Sequence, residues 1–264
     1  MYYLFQLFEP NERCLLKIHT QNQGIVPVTG RNLKLATQSP LLKNWMERLD
    51  SNIRLKGVEV QHLTVVRRNN ADHVLFMMIK ADVVDFKNRR LPGVVFLRGP
   101  AVGMLIVLKQ ADNGDEWVVL IESSMPSIGQ CSYPQLPAGM MDGEKDGLTV
   151  AIREIREETG LKATPAEVSD LTGTFYEGAD WPGIYPSPGA CDEFIKLFLC
   201  CKTMSDRQIR ALNGRNTGLA AENEHLKLRV VRLSQLCKIT PDVKAHSAFL
   251  MYELMRLNPK RSGF

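Results

Sequence analysis

Apolar residues along this chain follow two rhythms. In one they alternate with polar residues or run unbroken over short stretches, the mark of β-strands. VEVQHLTVVRR (58–68), HVLFMMIKADVVDF (73–86), VVFLRGPAVGMLIVLKQ (94–110), EWVVLIES (116–123), FIKLFLCC (194–201) and LKLRVVRL (226–233) read this way. YYLFQLF (2–8) and RCLLKIHT (13–20) join them across the turn Glu9-Pro10-Asn11-Glu12. Asp112-Asn113-Gly114-Asp115 is a turn that folds 94–110 onto 116–123 as a hairpin. The second rhythm is helical. Ser39-Pro40 opens a helix through about Asp50. Another runs from Gly147 to Thr159, with Gly160 where a helix-terminating glycine belongs. Thr240-Pro241-Asp242 starts a last one, with Thr240 as cap and Pro241 in the first position. Strands and helices in mixed order predict an α+β fold, a mixed sheet covered by helices. Leu91-Pro92-Gly93 is the expected boundary between a small β-rich N-terminal domain (1–92) and a larger domain (93–264).

The helix over 147–159 carries the chemistry. At 100° per residue, Glu154, Glu157 and Glu158 fall within an arc of roughly 100°. Leu148, Ala151, Ile152 and Ile155 form the apolar face beside them. Glu154 and Glu158 are a like-charge pair one turn apart, repelling by about 0.2–0.5 kcal/mol in an isolated helix. Arg153 lies one turn before Glu157 and offsets part of that. Hard oxygen ligands clustered on a rigid helix suit Mg²⁺ or Mn²⁺. Taken alone, E-x-x-E-E is better explained by a solvated acidic face.

Gly139 upstream and Gly160-Leu161 downstream change that balance. The stretch GMMDGEKDGLTVAIREIREETGL (139–161) resembles the Nudix box, G-x5-E-x7-R-E-U-x-E-E-x-G-U, with U a bulky aliphatic. The first Glu of the box falls on Lys145, and Glu144 stands one place early. Pro92 to Val102, Leu136 to Met140, Pro186 to Glu193, Thr217 to Leu219, Glu222 to Arg229 and Asp242 to Ala245 also look similar to plant Nudix hydrolases of the ADP-sugar diphosphatase type. The similarity spans roughly residues 55–257.

The resemblance implies a Nudix α/β/α sandwich that hydrolyses the diphosphate of nucleoside-diphosphate sugars, ADP-glucose or ADP-ribose, to AMP and a sugar phosphate. It implies Glu154, Glu157, Glu158 and the Ala138 carbonyl as metal ligands. Glu193, after Pro188-Gly189, matches the base that activates water, with Asp192, Glu222 and Glu224 as rivals. Gly139, Arg153 and Gly160 take structural places in the box. The wider group implies a homodimer. The loop TFYEGADWPGIYPSPG (174–189) offers Phe175, Tyr176, Trp181 and Tyr185 for stacking on a base. Arg98 is a candidate diphosphate contact. Glu122 to Pro126, the loop where many relatives carry an arginine, has none, and Glu177 stands where ADP-ribose enzymes carry a proline. A catalytically weak nucleotide-sugar sensor of the same fold, or a hydrolase of dinucleoside polyphosphates or mRNA caps, are the competing readings. Three crowded carboxylates are more than a sensor needs.

Composition narrows the setting. A net charge of +4, from 33 Lys+Arg against 29 Asp+Glu, is too small a surplus to argue for nucleic acid. No apolar run is long enough for a membrane span, and the first residues lack the basic start of a secretion signal. Six cysteines without C-x-x-C spacing read as free thiols. A cytoplasmic or organelle-matrix location is expected.

Overall fold

The computed structural model describes residues 15–17, 30–68, 70–219 and 224–257. The strand expected over 2–8, most of that over 13–20, Cys14 and Glu222 lie outside them. Contacts divide the chain into two units.

The first unit holds the described residues up to Gly99 together with Ser187–Glu193. Its elements are β1 (Leu15–Lys17), α1 (Gly30–Gln38), α2 (Pro40–Glu47), β2 (Ile53–Arg68), β3 (Ala71–Asp85) and β4 (Val94–Leu97). The strands form one sheet in the order β1-β2-β3-β4. The long hairpin β2–β3 turns beside Asn70, held at φ 62, a backbone angle asparagine tolerates. Leu33 and Ala36 of α1 and Leu42 and Met46 of α2 close one sheet face against Val58, Val60, Met77, Ile79 and Leu97. Ser39 caps α2 as expected, accepting the Leu41 N–H.

The second unit holds residues 100–186 and 194–257. In chain order it contains β5 (Ala101–Gln110), β6 (Glu116–Met125), β7 (Gln130–Gln135), β8 (Ala138–Met140), α3 (Gly147–Thr159), β9 (Val168–Asp170), α4 (Leu171–Phe175), β10 (Ile195–Met204), α5 (Asp206–Leu212), β11 (Asn216–Thr217), β12 (Leu226–Arg232), α6 (Leu236–Ile239) and α7 (Val243–Leu257). Six strands run β11-β12-β6-β5-β10-β9, with β7 on β6 and β8 on β5. β5 and β10 are parallel and the other pairings antiparallel, so the sheet is mixed.

β5 explains the layering. All but one of its residues are buried, the pattern of a strand covered on both faces. Ala101, Leu105 and Val107 point into a core shared with α4 and α7. Val102, Met104, Ile106 and Leu108 point into one shared with α3 and α5. Alternation along a strand sends neighbours to opposite faces. The result is the expected α/β/α sandwich.

Two expectations are corrected. The apolar run 94–110 is not one strand: β4 pairs with β3 in the first sheet, whereas β5 lies in the second. Gly99 sits at φ 84 and Pro100 follows. The Asp192 carboxylate, not a neighbouring strand, receives the N–H groups of Arg98 and Gly99. The last helix starts at Val243 rather than Pro241. Asp242 receives the Lys244 N–H at its start, whereas Thr240 closes α6.

Ile155 of α3 is fully buried. Ile155→Ala is expected to cost about 2–5 kcal/mol, read as a lower urea midpoint at unchanged m-value. On the same unit, the Lys202 ammonium, 2.5 Å from Glu167, and the Thr164 N–H hold the Glu167 carboxyl down at about 2. Its folded value lies below its unfolded one, so the pair stabilises above about pH 4.5 and the gain fades as pH falls towards 2. The thermal midpoint of Glu167→Gln should lie below that of the parent chain at pH 7, the gap narrowing below about pH 4.5 and closing only as pH falls to about 2.

Candidate functional site

α3 is bounded by strong local signals. Asp146 receives the Leu148 and Thr149 N–H groups at its start. Glu144 receives the N–H of Lys145 and of Asp146 just before it. Gly160 closes the helix at φ 70, accessible to glycine at little strain. Val150, Ala151 and Ile155 anchor the buried face. Anchoring that face turns Glu154, Glu157 and Glu158 to the adjoining one, with Glu154 and Glu158 against the strand Ala138–Met140.

The three carboxylates have unlike surroundings. Glu158 is 5% exposed and accepts the Ala138 N–H at 2.8 Å. Burial pushes its carboxyl well above the usual range, the Ala138 N–H offsets part of this, and Glu154 and Glu224 add repulsion. Glu154 is also pushed up by burial, against a 2.9 Å hydrogen bond from Arg153. Glu157 is more open and lies 3.7 Å from Arg153 Nε. Arg153 therefore braces both Glu154 and Glu157. Glu224 accepts the Leu219 N–H and belongs electrostatically to this group.

Gly139 shows why no side chain fits there. A Cβ would collide with the Glu154 carboxyl group. Ala138, Gly139 and Met140 pair with Gly103, Val102 and Ala101 of β5, so this backbone is sheet-bound rather than a free loop.

The donors fit a hard divalent ion in their chemistry. They are oxygens only, two are desolvated, and they repel one another, which a cation would relieve. Among the described residues, no three His, Cys, Asp or Glu side chains yet stand at the spacing of one coordination sphere. The structure thus gathers the charge without drawing the oxygens into a closed cage.

Of the aromatic candidates, Phe175 and Tyr176 pack against the core and against each other, edge to face. Trp181 is 59% exposed and meets Tyr185 edge to face, and Tyr185 in turn lies against Phe194. Trp181 has the freest face for a base.

Arg98, Asp192 and Glu193 belong to the first unit. Arg98 Nε donates to Glu193 at 2.8 Å, and its guanidinium lies over the Phe76 ring. Asp192 is 8% exposed, and Arg48 NH2 donates to its second oxygen at 2.8 Å. Cys191, half-buried in this segment, has its thiol pushed up by burial, which leaves it a poor nucleophile.

The sequence left the surroundings of Ala138 unread. Gln135, Thr240, Asp242 and Lys244 interlock beneath it. The TPDVK run was legible as a helix start and as a stretch of the resemblance, not as a clamp on Gln135 and Leu136. No helix among the described residues is long and apolar enough to cross a membrane.

Comparison with known proteins bears on this geometry. The NUDIX domain matches residues 97–252. Nudix hydrolase 14, chloroplastic, of Arabidopsis thaliana is 32% identical over 256 residues, covering 93% of this chain and 78% of that protein. A crystal structure of an ADP compounds hydrolase overlays on 79% of this chain and 99% of its own, at 14% identity and a TM-score of 0.48, too loose a likeness to argue from.

Gly139→Ala should displace Glu154 while leaving the sheet intact. The expected outcome is a Mn²⁺ dissociation constant raised about tenfold or more, read by electron paramagnetic resonance, with an unchanged circular dichroism spectrum.

Proposed function

The chain belongs to the NUDIX-domain family, and from that premise we propose that it is a divalent-metal-dependent hydrolase of nucleoside-diphosphate sugars. ADP-glucose and ADP-ribose are the proposed substrates, with AMP and a sugar phosphate as products. One observation carries the proposal. Two desolvated carboxylates on one helix, Glu154 and Glu158, face the Ala138–Gly139 backbone, and Arg153, the Ala138 N–H and Lys244 offset only part of the cost of their burial and mutual repulsion.

Glu154, Glu157, Glu158 and the Ala138 carbonyl would hold Mg²⁺ or Mn²⁺. When bound, the ion neutralises the diphosphate, polarises the breaking P–O bond and acidifies a water. The protein's own part is positioning. Arg153 keeps Glu154 and Glu157 in place through its guanidinium. Gly139 leaves room for the Glu154 carboxylate, and Gly160 ends the helix directly after this turn.

Glu193 is the proposed acceptor of the water's proton, on the strength of its place after Pro188-Gly189. Arg98 orients its carboxylate, and we assign Arg98 a contact to the diphosphate as well. Among the rivals, Asp192 is disfavoured because its oxygens already serve three donors. Glu224 lies with the metal-binding carboxylates rather than apart from them. Trp181, Tyr185 and Tyr176 are the proposed surface for the base, with Trp181 the principal stacking face. The N-terminal domain (1–92) is proposed to serve dimerisation and substrate binding. A homodimer is part of the proposal, as is a cytoplasmic or organelle-matrix location, which the chloroplastic designation of the Arabidopsis relative supports.

The test is turnover of ADP-ribose, ADP-glucose, UDP-glucose, NADH and diadenosine polyphosphate with Mg²⁺ or Mn²⁺. The two ADP-sugars should be cleaved fastest, and Glu157→Gln and Glu193→Gln should each lower kcat by at least about 100-fold. Rates on every substrate no higher than those of Glu157→Gln would end the catalytic reading. Loss with Glu157→Gln but not with Glu193→Gln would move the base elsewhere.

A further inference from the structure

α7 begins with a buried ion pair that the proposed chemistry does not use. Asp242 is 3% exposed. Its Oδ2 accepts the Leu136 N–H at 3.0 Å, and its Oδ1 accepts both the Lys244 N–H at 3.1 Å and Lys244 Nζ at 3.0 Å. Lys244 Nζ also donates to Gln135 Oε1 at 3.2 Å. Thr240 donates its hydroxyl to the Pro134 carbonyl at 2.5 Å, and the Asp242 N–H donates to that hydroxyl. Three successive residues, Pro134, Gln135 and Leu136, are thereby tied to the residues that open α7.

Those three residues lead directly into β8. Pro137 comes next and has a fixed φ, and its carbonyl accepts the Met104 N–H at 2.9 Å. Ala138 is the residue after it, with its N–H on Glu158. A shift at Leu136 therefore passes to Ala138 through a stiff link. Lys244 also runs close beneath: a Cβ on Gly103, the partner of Ala138 in the sheet, would stand 3.4 Å from Lys244 Cδ. Its positive charge acts on Glu158 against the repulsion from Glu154 and Glu224.

A buried ion pair is a poor way to gain stability, because desolvation offsets most of its attraction and apolar residues of the same volume often do as well. Such residues would leave the Leu136 N–H without an acceptor, a group that is costly to bury unpaired. We infer that Asp242, with Lys244, is a positioning residue of the metal centre. It fixes Leu136, and so sets where the Ala138 carbonyl and N–H stand relative to Glu158. The inference rests on the metal-dependent reading of the site and adds to it a device outside the carboxylate helix.

The test titrates Mn²⁺ into the full chain by electron paramagnetic resonance, without substrate and well below the melting temperature. Asp242→Leu keeps the branched shape of the side chain and removes both acceptors. It should weaken Mn²⁺ binding by at least about tenfold, and Glu158→Gln, the reference for a lost ligand, should do the same. Asp242→Asn keeps an acceptor for Leu136 but loses the charge that holds Lys244, and should fall between, weakened about threefold. Mn²⁺ binding by Asp242→Leu as tight as by the parent chain, with Glu158→Gln impaired, overturns the inference and leaves the hydrolase reading standing. A parent chain that binds no Mn²⁺ overturns both. Should Asp242→Leu not fold, Asp242→Asn decides: parental affinity in that variant overturns the inference.

Discussion

The Ala138 N–H meets Glu158 Oε2 at 2.8 Å across a separation of twenty residues in the chain. Around this bond the rest of the site is arranged. Burial strips Glu158 of water, one N–H returns part of what is lost, and Glu154 and Glu224 press further negative charge on it. A side chain in that position costs the fold stability at neutral pH whether it stays charged or takes up a proton. Perturbed titratable groups gathered in this way are the pattern from which a functional site is inferred. The energy to hold them comes from the core faces of α3 and from β5, whose buried residues fill both layers of the sandwich.

Both partners of the bond are carried on rigid elements. Ala138 lies in β8, paired in register with β5. Glu158 lies in the last turn of α3, where the Thr217 hydroxyl donates to its carbonyl at 2.5 Å and Gly160 terminates the helix. Sites built on strands and helices hold geometry better than sites on loops.

Much of this was legible in the chain, and the reasons differ by element. The helix 147–159 was readable because cap, period and terminating glycine agree, and Glu154, Glu157 and Glu158 follow from its geometry. The α/β/α layering followed from strand and helix order together with the resemblance. The break at Arg98–Pro100 was not readable, because apolar residues flank it on both sides. What divides them is an Asp192 side chain more than ninety residues away, which takes the N–H groups a strand partner would have taken. The start of α7 was misread for a related reason. Thr240-Pro241 satisfies the local rules for a cap and first turn, yet Thr240 spends its hydroxyl on the Pro134 carbonyl and leaves the capping to Asp242. Local propensity yields wherever a distant polar group needs a partner.

Asp192 and Glu193 show the same principle acting on chemistry. They are adjacent and both acidic, and only position after Pro188-Gly189 favours Glu193 in the sequence. The fold separates them. Asp192 turns inward, where two backbone N–H groups and Arg48 occupy its oxygens. A carboxylate serving so many donors has little lone-pair capacity left to take a proton from water. Glu193 accepts from Arg98 through one oxygen, Oε1, which leaves the second for the proton-accepting role proposed above. The same two-residue step thus yields one carboxylate that organises the backbone and one held through a single oxygen, for which the proton-accepting role is proposed. The difference lies in the donors each one meets, and only the folded chain supplies those.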